Sequence, residues 1–267
     1  MKNVLLPVHD DAGQEARLQA ALDLTRTLGG HLTCLAVVEA PTLAADAMSG
    51  DAYAILSEAA QAQEAPNAGR LRDRLPVEDV AWDWQEAMGD VAESLVAAAG
   101  MADVIVASPK IRCFPGHAQR ELAADILTRC RAPVLVVPEG HGGFHADGRA
   151  LVAWNGSDQA AAALRAATPL LGLASRTMIL EIDDGTVKAP AEDAAAYLSR
   201  HGVKPVIRRE RGHQAPVAAM LRDALRTGRF DYVVMGAYSR FRITEALLGG
   251  VSRDMLRTCP IPLFMAH

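Results

Sequence analysis

Short apolar runs alternate with longer stretches of helical spacing along the whole chain. Residues 4–8 and 32–38 are short apolar runs, which predicts strands buried on both faces, as in a parallel sheet. Between them, residues 15–28 set Ala16, Ala20, Leu24 and Leu28 on one face of a helix. The pattern continues with a helix over 90–99, a strand at 104–107, a helix around 121–131 and a strand at 134–137. A second series follows: strand 150–154, helix 158–171, strand 177–182, helix 190–201, strand 203–208, helix 215–227, strand 232–236, helix 245–258 and strand 261–265. Strands alternating with helices predict parallel βαβ units, and hence an α/β protein with a doubly wound sheet in each half.

The two series are copies of one unit. VLLPVHDD, from Val4, matches ALVAWNGS, from Ala150, at an offset of 146 residues. VAESLV matches VAAMLR at 126, DVIVAS matches DYVVMG at 128, and RAPVLVV matches PIPLFMA at 129, all in the same order. The drop in offset places some twenty extra residues in the first copy, within the Ala-rich segment 40–76, which reads as a helical insertion. The Gly- and His-rich run EGHGGFHADG, residues 139–148, has no apolar period and marks the boundary. Two domains are therefore expected, at 1–140 and 148–267.

Composition narrows the class. The chain has 267 residues, half of them apolar and 22% charged, as in a folded globular protein. The apolar start meets His9, Asp10 and Asp11 too soon for a secretory signal, and no later run approaches the ~18 residues of a membrane span. Four widely spaced cysteines, Cys34, Cys113, Cys130 and Cys259, fit neither a disulfide scaffold nor a zinc site, so a cytoplasmic location is expected, without membrane partners. The net charge of −5 argues against a nucleic-acid binder, yet it is divided unevenly. Residues 1–147 carry 11 Lys and Arg against 21 Asp and Glu; residues 148–267 carry 16 against 11. A compact anion is expected in the second half.

Ligands of open α/β sheets bind beyond the carboxyl ends of the strands, where the strand order reverses. In the second copy the loop there reads VVMGAYSRFRITEALLGGVSRDML. Gly236 ends the strand, and Gly249-Gly250 precede Val251-Ser252. A glycine pair lets backbone N–H groups approach an oxyanion, while Ser239 and Ser252 offer hydroxyls and Arg240 and Arg242 offer charge. A tight turn and a close helix–sheet contact account for the same glycines, and the residues alone leave both readings open.

At these residues the sequence resembles the universal stress protein family, over almost the whole chain and twice. Nucleotide-binding members carry G-x2-G-x9-G-[ST] after the fourth strand, followed by V-[ST]. Gly236 matches the first glycine, Ser239 stands at the second, Gly249 matches the third, Gly250 replaces the Ser/Thr, and Val251-Ser252 completes the pattern. The family's strand-1 turn, with an Asp toward the nucleoside, is matched by Ala153-Trp154-Asn155-Gly156-Ser157, with Asn155 at the Asp. The resemblance implies an adenine nucleotide alpha hydrolase-like fold of five parallel strands per domain, pairing through the last strand, with ATP or AMP as ligand, with or without magnesium. Nucleotide-site residues carried over are Ala153, Trp154, Asn155, Gly236, Ser239, Arg240, Gly249, Gly250, Val251 and Ser252. The departures weaken binding rather than abolish it. A Cβ at Ser239 costs ~1 kcal/mol if the position needs positive φ, a lost hydroxyl at Gly250 costs a similar ~1 kcal/mol, and Asn155 still hydrogen-bonds without charge.

The first copy departs further. In IVASPKIRCFPGHAQRELAADILTRC, Ser108 replaces the first glycine, Pro109 removes a backbone donor, and no glycine pair precedes the helix. Its strand-1 turn, His9-Asp10-Asp11, is expected to repel phosphate. That half is read as structural, with Lys110 and Arg112 as its only anion-binding features. There is no Walker A sequence, no GxSxG and no HExxH. His141 and His145 read as solvated histidines and not as metal ligands. Asp254 and Glu245 read as exposed helix charges, so no catalytic residue is assigned. The leading expectation is a cytoplasmic tandem stress-response module that binds an adenine nucleotide in its second half, as an intramolecular pseudo-dimer or a homodimer, and is not an enzyme. The alternative is an interaction or dimerisation protein of the same fold that binds no nucleotide.

Overall fold

The first strand, β1 (Asn3–Val8), buries every residue after its first, because it has a neighbour on each side and helices on each face. Val4, Leu6 and Val8 point into one core layer and Leu5 into the other. The computed structural model describes residues 1–39, 50–113, 118–212, 215–237 and 250–267. After β1 come α1 (Gln14–Leu28), β2 (His31–Val38), α2 (Gly50–Arg74), β3 (Ala81–Met88), α3 (Val91–Ala98) and β4 (Val104–Ala107). A small hairpin of β5 (Ile111–Cys113) and β6 (Ala118–Arg120) leads to α4 (Leu122–Arg129) and β7 (Val134–Val136). The second series is β8 (Arg149–Trp154), α5 (Asp158–Leu171), β9 (Arg176–Asp183), α6 (Ala191–Arg200), β10 (Val206–Arg211), α7 (Val217–Gly228), β11 (Tyr232–Gly236), α8 (Gly250–Thr258) and β12 (Leu263–Ala266).

Ten strands form one sheet in the order β10-β9-β8-β11-β12-β7-β4-β1-β2-β3. Read outward from the β7–β12 seam, both sides run last, fourth, first, second, third. Every pairing is parallel except at the seam, where Leu263, Phe264 and Met265 lie antiparallel to Val136, Leu135 and Val134. The strand order therefore reverses twice, between β1 and β4 and between β8 and β11. Helices α1, α2, α5 and α6 cover one face, and α3, α4, α7 and α8 the other.

Local chemistry accounts for the element ends. Helix α1 stops at Gly29, whose φ of +53° is left-handed, and Gly30 N–H returns to the Thr25 carbonyl. Asp90 caps α3 through the Glu93 N–H, and Ser157 caps α5 through the Ala160 N–H. The residues between β2 and β3, 39–80, outnumber those between β9 and β10, 184–205, by the twenty noted in the repeat offsets.

The structure differs from the pattern-based expectation at three places. Strand β3 was not anticipated, because it is an edge strand with five of its eight residues exposed and follows closely on the Ala-rich segment. The β5–β6 hairpin, two short strands ahead of α4, was not anticipated either; Pro115, Gly116 and His117 lie outside the described residues. Strand β10 starts at Val206 rather than at 203, and Val203 is buried as part of the turn after α6. Of the helix expected over 245–258, residues 250–258 are described and helical.

Candidate functional site at the second strand-order reversal

Beyond the carboxyl ends of β8, β9 and β11 lies a cavity of about 580 Å³. Ala153, Trp154 and Asn155 from the end of β8 meet Gly236 from the end of β11 and Val251 and Ser252 from the first turn of α8. Its wall is apolar, from Leu180 and Ile182 on β9 and from Val217 and Leu221 on α7. Its rim is polar, with Asp184, Thr186 and Lys188 from the β9–α6 loop and Asp158 and Gln159 from the start of α5.

Backbone constraints build this mouth. The turn after β8 needs Gly156: its φ is +69°, and an added Cβ would sit 2.0 Å from the Ala189 nitrogen. Asn155 Oδ1 accepts from the Ser157 N–H at 3.1 Å, while its carbonyl accepts from the Lys188 N–H at 2.8 Å. The β9–α6 loop is thereby clasped to the turn. Trp154 reinforces the clasp, donating Nε1–H to the Ala189 carbonyl at 3.0 Å. Its ring is buried in the layer under α5 and α6, so its main work is to cover apolar surface. Gly236 permits a close approach, since a Cβ there would lie 2.7 Å from the Ala160 nitrogen in the first turn of α5. The Ser252 hydroxyl donates to the Gly236 carbonyl at 3.4 Å, tying α8 to the same point.

The described starts of α5 and α8 thus lie beside one cavity, where the helix dipoles favour an anion. Lys188 is the one cation of the described lining; Asp158 and Asp184 keep the rim from being uniformly positive. Of the residues expected at a nucleotide site, Ala153, Trp154, Asn155, Gly236, Val251 and Ser252 are brought together. Gly250 is exposed at the start of α8, its missing side chain meets nothing within 4 Å, and it is not part of the lining. Ser239, Arg240 and Gly249, with Arg242 and Glu245, lie outside the described residues. Asp254 is not a solitary exposed charge, because it pairs with Arg222 of α7.

Sequence reasoning missed the contribution of the β9–α6 loop. The signal was present in DDGTVK, a polar, glycine-containing run directly after a strand. The rule that sends attention to strand carboxyl ends applies to that loop as much as to the one after β11.

The equivalent place in the first half is full. Ser108, the counterpart of Gly236, is buried, and its hydroxyl accepts from Arg17 Nη1 at 2.7 Å. Arg17 is wholly buried; it also donates to Asp11 Oδ1 at 2.8 Å and to the His9 carbonyl at 3.2 Å. A separate small space lined by Asp11, Lys110 and Arg112 measures about 30 Å³, which suits one water and no larger ligand. The expected repulsion by His9, Asp10 and Asp11 is therefore not what closes this half. Asp11 is neutralised internally by Arg17, and the guanidinium occupies the room.

Two of the cysteines are held protonated. Burial pushes the Cys34 thiol up to about 12 and the Cys259 thiol up to about 11, so neither ionises near neutrality. Among the described residues no group of His, Cys, Asp and Glu is placed to hold a metal ion, and no helix is long and apolar enough to cross a membrane.

No protein-family model matches the chain, and no curated protein matches it in sequence. Solved structures do match in fold. A universal stress protein from Archaeoglobus fulgidus DSM 4304 superposes with a TM-score of 0.75, covering 99% of this chain and 95% of that one at 16% identity. A functionally unknown protein from Pseudomonas aeruginosa PAO1 gives 0.62, covering 100% and 92% at 16% identity.

Proposed function

We propose that this chain, which carries the universal stress protein fold from end to end, is a tandem member of that family binding an adenine nucleotide in its second half. The observation that carries the reading is the contrast between two equivalent places: a cavity of about 580 Å³ beside Gly236, and at its counterpart Ser108 a wholly buried Arg17 bonded to the serine hydroxyl. The first is within the usual size of small-molecule sites, ~300–1,000 Å³, and has the matching mixture of apolar wall and few polar groups. Leu180, Ile182 and Val217 offer a base an apolar slot. The starts of α5 and α8, with Ser252 and Lys188, favour phosphate oxygens. ATP or AMP is the ligand class, with or without magnesium.

The protein acts as a cytoplasmic regulatory module in stress response and not as a dedicated catalyst. Phosphoryl transfer needs a metal held by carboxylates and a positioned nucleophile. Asn155, at the position of the family's acid, supplies neither strong metal binding nor a base. Calorimetry with ATP, ADP and AMP, with and without magnesium, tests the reading. One site is expected, and Ser252→Glu, which puts bulk and negative charge at the start of α8, should weaken binding at least tenfold. Gly116→Val in the first half should leave it unchanged. Equal binding by Ser252→Glu and the parent would move the site elsewhere, and no binding of any nucleotide would favour a pure interaction protein. Turnover near ~1 per second, lost on Ser252→Ala, would make it an enzyme.

A further inference from the structure

The inserted helix α2 does not lie flat on the sheet. It is pinned at separate points: Asn67, fully buried, exchanges amide hydrogen bonds with Gln14 of α1 at 2.7 and 2.8 Å. Arg74 pairs with Glu15, and Arg72 with Glu86 of β3. Leu71 and Ala60 pack inward. Between these pins, at the carboxyl ends of β1, β2 and β3, is a second cavity of about 470 Å³. Its floor is Val8, Ala36 and Val38; its roof is Ala65, Ala68 and Gly69. A side chain at Gly69 would meet nothing within 4 Å, so no neighbour requires glycine at this helix-disfavouring position. In the second half the shorter α6 closes on the sheet with Ala191, Ala194 and Leu198, all buried.

Charge gives the cavity its preference. Glu86 and Arg72 neutralise each other at one side, where the Arg72 guanidinium lies 4.6 Å from the Trp84 ring centre. Glu64 lines the other side with its side chain only 16% exposed. Its described partner is the His9 imidazole, Nδ1 to Oε1 3.1 Å. Where His9 is neutral, above its raised pKa, a carboxylate so largely removed from water favours another cation as partner.

We propose that the α2 cavity binds a small organic monocation with an apolar body, its ammonium or amidinium group on Glu64 and its body over Val8, Ala36 and Val38. The site is distinct from the one beside Gly236, is built only from first-half residues, and does not depend on nucleotide binding. The apolar floor selects against inorganic cations, and the carboxylates select against fatty acids and other anions. It lies at the carboxyl ends of β1, β2 and β3, away from the strand-order reversal between β1 and β4.

Phenethylamine is a suitable probe, with 2-phenylethanol and 3-phenylpropionate as its neutral and anionic counterparts. Calorimetry on the full chain should give one site for the amine, at least tenfold tighter than for the acid. Trp84, under Arg72 at the cavity side, should report the amine by a fluorescence change that Trp84→Phe removes. Ala68→Phe should fill the space and weaken the amine at least tenfold, and Glu64→Gln should abolish the preference for amine over alcohol. Gly69→Leu serves if Ala68→Phe fails to fold, with circular dichroism as the check on each variant. Ser252→Glu should bind the amine like the parent, which separates this test from that of the nucleotide reading. Equal binding of all three probes, no binding at millimolar concentration, or amine affinity unchanged in both the filled and the Glu64→Gln variants would overturn the proposal.

Discussion

Arg17 is the residue whose role is least apparent from its neighbours in the chain. It sits in α1 between Ala16 and Leu18, where a long cation reads as a solvent-facing position. In the fold it is wholly buried and bonded to Asp11 and to Ser108, the counterpart of Gly236. The change from glycine to Ser108 was legible in the repeat; the arginine that reaches it across 91 residues was not, because only tertiary structure brings them together. Arg17→Met should cost about 3–5 kcal/mol, since it strands the Asp11 carboxylate, itself only 7% exposed, without its cation. Adding Asp11→Asn should recover most of that loss. Urea denaturation of the three proteins checks both statements, and a double variant no more stable than Arg17→Met would show that the pair does not act as a unit. His9 carries a pH signature. Burial opposes its charge, but the hydrogen bond and charge of Glu64, with Asp11 and Glu39, outweigh burial and hold its pKa above 6.5. The proton is therefore bound more tightly in the folded state, so its stabilisation is full below about pH 6.5 and fades as pH rises through the folded value. The melting temperature of the parent should exceed that of His9→Gln by more at pH 6 than at pH 8.5. A difference constant with pH would refute the assignment.

Among the elements, those with a strong hydrophobic signal were legible; of the two outer strands, β3 was not, and β10 was read with its start displaced. β4, β7, β11 and β12 are short and almost entirely buried, and their apolar runs stand out. β3 and β10 have one open edge each, so Asp83, Gln85 and Glu86 on one, and Arg208, Arg209 and Arg211 on the other, break the apolar run. Such charges are what an exposed edge requires, because they discourage pairing with another chain. A period of two remained in Trp82-Asp83-Trp84, where both tryptophans pack partly inward and Asp83 faces solvent. The site's turn was legible as a match to a family pattern, but its physical reason belongs to the fold. Gly156 is needed because the β9–α6 loop passes 2.0 Å from where its Cβ would be, as well as for its φ. Gly156→Val should therefore cost about 2 kcal/mol or more, combining a left-handed branched residue with a backbone clash. It should also displace the loop that carries Asp184, Thr186 and Lys188, weakening nucleotide binding in calorimetry along with stability in urea. A variant as stable as the parent would mean that the clasp between turn and loop is not tight in solution.

At the scale of the whole molecule, the antiparallel seam holds two similar parallel arrays in one sheet. Both arrays end in a short strand with a fully buried face on each side, β7 in one and β12 in the other. Each leaves an edge of unpaired N–H and C=O groups and apolar side chains unless something covers it, and each covers the other. Flanking helices extend the contact: Glu121, which opens α4, pairs with Arg257 near the end of α8. Because the two strands meet antiparallel and the strand order outward is the same on both sides, the seam has the geometry of a two-fold homodimer made within one chain. It follows that a second half freed from the first keeps an adhesive β12 edge and a face that matches a copy of itself. Residues 147–267 expressed alone should form a homodimer through β12, or aggregate, and Phe264→Lys, which places a charge at a fully buried seam position, should prevent a well-ordered dimer. Sedimentation velocity distinguishes the outcomes. A well-behaved monomer from the unmodified half, folded by circular dichroism and stable over days, would show that the β12 edge needs no partner, and the account of the seam as the element that keeps both halves soluble would fail.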